Sequence, residues 1–301
     1  MKTISSSIVL LLSIITFSSN SYAQDEFPVL EGPYLGQKPP GLIPEVYAPG
    51  IISIKGRSEF GMSFSPDLDE MYITFQEKYG VPADIYFSKL EGNQWTPFKK
   101  ANFTQGKKAG EMEPNVSYDG NKIYFTAYNA DFTDTKIWYV NRLNNGWSDA
   151  IKLDSPVNED EVMTSTVAKN GDLYYTNLSK RFRTYYSPNI NGEYPKALEA
   201  DIEFGGHAFI SPSQDYLLAD GRDRKNENKK DADLFVYFKK KDGAWTKPIN
   251  LGIEVSSTFD ETVATVTPDG KYLFFSRRTE GEQSNLYWVS TEVIENVRPK
   301  L

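Results

Sequence analysis

Short runs of β-branched and aromatic residues recur along this chain, each bounded by polar or turn-forming residues, and the same order of runs comes round five times. The first run of each unit opens at Glu59, Glu111, Val162, Gly206 and Glu261, a spacing of roughly 43 to 56 residues. A second run follows at residues 71–75, 122–126, 173–176, 216–219 and 272–276. A third lies at 84–88, 136–140, 184–187, 233–237 and 285–289. Runs this short and this rich in Tyr, Phe, Ile and Val predict strands, the second ones apolar enough to be covered on both faces.

The connections repeat as well. Asp119-Gly120, Asn170-Gly171 and Asp269-Gly270 join the first run to the second, and such pairs suit the positive φ of a tight hairpin turn. After the third run comes a glycine-containing turn that ends in an aromatic, Trp95, Trp147, Tyr194 or Trp245, and a short fourth run such as residues 150–153 or 248–251. Recurrence at one repeat position points to packing of these rings between units rather than to ligand stacking.

The fifth unit stops after its third run, while residues 44–52, just before the first unit, resemble the other fourth runs. The pattern therefore predicts an all-β, five-bladed β-propeller of four-stranded antiparallel blades. The last blade is closed by an N-terminal strand, which removes an open sheet edge. The blades fall at about 59–104, 110–157, 160–203, 205–256 and 259–291, with the closing strand at 44–52, in one domain spanning 44–301.

The Ser-Pro-Asp turn at 65–67, the Asp-Gly turns, the preceding Glu and the aromatic strand that follows resemble the PD40, or WD40-like, repeat of TolB-type propellers. The resemblance covers roughly residues 44–291. Two units depart from it, with Asp67-Leu68-Asp69 in the first and Ser213-Gln214-Asp215 in the fourth. It implies an extracytoplasmic propeller used for protein binding or polysaccharide handling, or as a domain of a peptidase.

The N-terminus adds an address. Lys2, the apolar stretch at 8–17 and Ser21-Tyr22-Ala23 make a signal peptide over 1–23, cleaved after Ala23, followed by an extension at 24–43. The apolar stretch is too short to imply membrane insertion. A periplasmic or secreted protein is expected. Among 301 residues there is no Cys, which excludes thiolate chemistry, and 33 Lys+Arg against 41 Asp+Glu give a net charge of -8, which disfavours nucleic acid. A monomer that meets a protein or a glycan fits these properties.

Candidate chemistry gathers where each unit begins. Glu59, Glu111 and Glu261 share one repeat position, and Glu161, Asp160 and Asp260 lie in the loops leading into it. The only His of the chain, His207, and Glu113 share the position two residues further on. The repeat carboxylates read either as ligand-binding groups or as acceptors for loop N–H groups. Because Glu113 and His207 are not part of the repeat pattern, they are the candidate catalytic pair. Crowded carboxylates would suit glycoside hydrolysis, or Ca²⁺ if a cofactor is needed at all; no metal ligand set is identified. Arg181-Phe182-Arg183 adds an aromatic between two cations that could grip a ligand, and the charged run at 222–230 reads as a solvated loop. No Gly-x-Ser-x-Gly, His-Glu-x-x-His or P-loop motif occurs. The first functional reading is a non-catalytic propeller that binds through one rim of its channel. The second is a carbohydrate-active hydrolase or lyase using the rim carboxylates and His207.

Overall fold

The computed structural model describes residues 28–223, 231–278 and 283–300. The signal segment, its cleavage point and most of the charged run at 222–230 lie outside the described residues. The strands form five antiparallel sheets, each following the chain outward from an inner strand. The inner strands are Ser58–Phe64, Gly110–Val116, Val162–Val167, Gly206–Ile210 and Glu261–Val266. Each pairs with a second strand, and that with a third, as the three apolar runs require.

Outer strands are two residues long: Lys99–Lys100, Ile151–Lys152, Leu198–Glu199 and Ile249–Asn250. The fifth blade takes its outer strand from the other end of the chain, with Glu45 opposite Trp288 and Val46 opposite Tyr287. Tyr47 makes this closure firm. It is fully buried and meets Phe274 and Trp288 edge-on. The segment before it is built in too. Tyr34 lies against Phe64, Tyr272 and Trp288, and Trp95 donates its Nε1–H to the Gly32 carbonyl. After the last strand the chain forms a short helix, Glu292–Glu295, whose Val293 and Ile294 cover the core shared by the fourth and fifth blades.

The core is divided among the blade interfaces. One buried cluster fills each junction, and the one between the fifth and first blades includes the N-terminal segment. The recurrent aromatics lie in these clusters: Trp147 donates to Tyr72 Oη, and Tyr194 Oη pairs with Tyr124 Oη. Glu70 of the first blade receives both guanidinium nitrogens of Arg142 of the second, at 2.9 and 2.7 Å.

Every inner strand carries a β-bulge at the same place. The register slips between Phe60 and Ser63, Met112 and Asn115, Met163 and Thr166, Gly206 and Phe209, and Thr262 and Thr265. The residue that opens each bulge, Gly61, Glu113, Thr164, His207 or Val263, has positive φ. In non-glycine residues that backbone is costly and persists only where surroundings impose it. The imposing contacts are visible. Glu113 N–H donates to Thr74 Oγ1, Thr164 N–H to Thr126 Oγ1 and Val263 N–H to Asp220 Oδ1, each reaching back to the second strand of the preceding blade.

Candidate functional site at the channel mouth

The bulges decide what faces the channel. Alternation along a strand sends Glu59, Glu111 and Glu261 away from Phe60, Met112 and Thr262, which line the mouth. The three carboxylates are bonded locally, Glu59 through Oε1 alone, its buried Oε2 having no hydrogen-bond partner among the described residues. Glu59 accepts from Ile54 N and Arg57 Nε, and Glu111 from Phe103 N, Thr104 N and Thr104 Oγ1. Glu261 accepts from Ser257 N, Ser257 Oγ and Arg277 Nε. Burial raises Glu59, against the pull of Arg57, to a pKa of about 7, and burial also raises Glu261. Glu161 accepts Thr135 N–H at 2.6 Å, outside the mouth. The repeat thus does not gather its acids round the channel.

Glu113 and His207, by contrast, are brought together across the channel. His207 Nε2 stands 3.8 Å from Glu113 Oε1, and Thr164 Oγ1 donates to Glu113 Oε2. On the other side, His207 Nδ1 lies 2.7 Å from Asp220 Oδ1. All three side chains are buried or nearly so, at 15% exposure for His207, 3% for Glu113 and 7% for Asp220. Burial works against a charged imidazole, but Asp220 and Glu113 outweigh it and hold the His207 pKa up to about 9. Burial pushes the Glu113 carboxyl up, while His207 and the Thr164 hydroxyl pull it down.

Two glycines make the geometry possible. A Cβ on Gly61 would sit 2.9 Å from Glu113 Cα, and one on Gly206 would collide with Asp220 Oδ2. Each glycine is the space into which a carboxylate-bearing residue of this group fits.

Asp220 is the member that the sequence reading misses. The equivalent second-strand residues are Thr74, Thr126, Thr176 and Ser276, and only the fourth blade carries an acid there. That departure from the repeat is the signal that would have found it.

Above this floor opens a cavity of about 420 Å³. Its walls carry Met112, Met163 and Phe60, with Phe132 and Phe182 at the rim. Phe182 meets the His207 ring edge-on at 5.4 Å. Past the bulges a second, narrow cavity of about 20 Å³ lies among Met62, Phe64, Val116 and Phe209. Arg181 lines a neighbouring cavity that shares Phe182 and Arg278 with the mouth. Arg183 is turned to Glu199 and the Glu203 carbonyl. Among the described residues no set of His, Asp and Glu is placed to hold a metal ion, and no helix is long and apolar enough to cross a membrane.

The class that fold and site define is a five-bladed β-propeller with a closed ring and one cupped mouth. No family model matches the chain, and no curated protein matches it. Among solved structures it is similar to a candidate glycoside hydrolase from Bacteroides ovatus, at a TM-score of 0.50 and 10% identity over 84% of this chain and 96% of that one. This likeness shows the propeller fold. The chain is also similar to TolB from Acinetobacter baumannii, at a TM-score of 0.49 and 12% identity over 76% of this chain. It spans only 54% of that protein's length. A candidate TolB from Agrobacterium tumefaciens gives a TM-score of 0.49 and 14% identity over 73% of this chain and 69% of that one.

Proposed function

We propose that this chain is an exported binding propeller that takes a protein or glycan ligand in the channel mouth and performs no chemistry on it. One observation supports this above the rest: the two acids at the floor of the mouth, Glu113 and Asp220, already have partners. Glu59, Glu111 and Glu261 are taken up by their own loops. Glu113 and Asp220 are taken up by Thr164, Val263 and the two sides of one imidazole. A glycosidase needs one carboxyl free to give a proton and another free to meet the anomeric carbon or a water. The site offers instead a concave, rigid, largely apolar cup with a polar floor, which is what binding pockets share.

Incubation with a polysaccharide and a protein-ligand panel tests this directly. Saturable binding without new reducing ends or cleaved products is expected; turnover would end the reading. A second reading, hydrolysis or lyase chemistry, draws on the raised pKa of Glu113 beside a charged His207. It requires Glu113→Gln and His207→Ala to abolish turnover with stability nearly intact. Export after cleavage at Ala23, as a monomer, belongs to the same proposal, and the N-terminal sequence of the mature protein checks it, with Gln24 expected first.

A further inference from the structure

Three aromatic side chains stand exposed at the mouth: Tyr79 at 67%, Phe132 at 46% and Phe182 at 42%. They occupy the same place in three consecutive blades, the loop between the second and third strands, and all three line the cavity above Glu113 and His207. Large exposed rings grouped on one concavity mark a contact surface, unlike rings scattered singly. Phe132 and Phe182 moreover have positive φ, at 60° and 62°. For aromatic residues that backbone is rare and costly, and it is commonly met at ligand-holding sites. The same cavity is also lined by the polar side chains of Ser58, Gln76, Thr262 and Arg278.

We infer that the mouth binds uncharged pyranose units of a glycan, stacked on Phe132 and Phe182 with Tyr79 at the edge, their hydroxyls reaching the polar side chains and the floor. This inference rests on the binding reading above and names its ligand. Three observations favour a sugar over a peptide or an ion. A pyranose has an apolar C–H face and a polar edge, and the cup presents aromatic rings and hydroxyl or amide side chains in one concavity to match. The floor's charges are paired within the floor, with His207 between Asp220 and Glu113, and Arg278 at the rim lies 3.6 Å from Asp260. Such a site offers hydrogen bonds without demanding a counter-charge. Finally, a peptide bound by strand addition would need a continuous strand edge to pair with. Here the channel-facing edges are broken by bulges, and the N–H groups of Glu113, Thr164 and Val263 already bond the preceding blade.

Calorimetric titration with neutral gluco-, manno-, galacto- and xylo-oligosaccharides, a polyuronate and a mixed peptide library tests the inference. Saturable binding of at least one neutral oligosaccharide is expected, unchanged between ~0.05 and ~0.5 M NaCl because no ion pair forms. Phe132→Ala and Phe182→Ala should each weaken it by about tenfold, and Phe182→Trp should retain it. Both rings are exposed, so melting temperatures should stay near that of the parent protein. Sole binding of a peptide, lost in Phe182→Ala, would overturn the sugar assignment and leave the binding reading standing. Preference for the polyuronate with affinity falling as salt rises would also overturn it. Hydrolysis of the bound sugar would instead overturn the binding reading.

Discussion

His207 is the single imidazole of the chain, and its two nitrogens face two carboxylates from two different blades, Asp220 of its own and Glu113 of the second. Folding raises its pKa from 6.5 to about 9. The native state then holds a proton that the unfolded chain has released, so this contribution to stability is whole below pH 6.5 and is lost as pH rises through about 9. Denaturation midpoints across that window should fall for the parent protein, by roughly 3 kcal/mol at most, and His207→Gln should remove the slope. A flat parent profile would contradict the arrangement. Gly61 provides a second check. Its φ is +57° and a Cβ would press on Glu113, so Gly61→Ala should cost about 1–3 kcal/mol and weaken any ligand held over Glu113. Glu113 and His207 stand out in the sequence because they depart from the repeat. Asp220 departs equally but hides in a strand of apolar neighbours, and its meaning emerges only when the bulge brings Nδ1 to it.

At the level of elements, the three long strands of each blade are legible because their aromatic and β-branched runs allow little else. The closing strand is legible by elimination, since one blade lacks an outer strand and one segment lacks a partner. Tyr47 is its anchor, so Tyr47→Ala should cost about 3 kcal/mol or more and lower the melting temperature by roughly 10 °C. A shift within 2 °C or so would show that the ring does not depend on this closure. The bulges are not legible. Glycine announces one of them at Gly61, but Glu113, Thr164, His207 and Val263 carry no sign of positive φ; for Glu113, Thr164 and Val263 tertiary hydrogen bonds from the neighbouring blade impose it. Missing the bulges is what made Glu59, Glu111 and Glu261 look like members of the mouth: without the slip in register, every acid near the start of a blade seems to point the same way.

Across the whole molecule, five packed blade interfaces hold the inner strands in place, and with them the imidazole that sits between two acids. The mouth carries exposed rings above a floor where one imidazole sits between two carboxylates, and that floor is the product of small departures from an otherwise regular repeat. With only one histidine, the ¹⁵N–¹H spectrum of the imidazole can be assigned without ambiguity and followed from pH 5 to 10 or so. The account predicts both ring nitrogens protonated at neutral pH and a titration midpoint near 9. A freely exchanging imidazole that titrates near 6.5 would mean that Asp220 and Glu113 do not enclose it, and the floor described here would not exist.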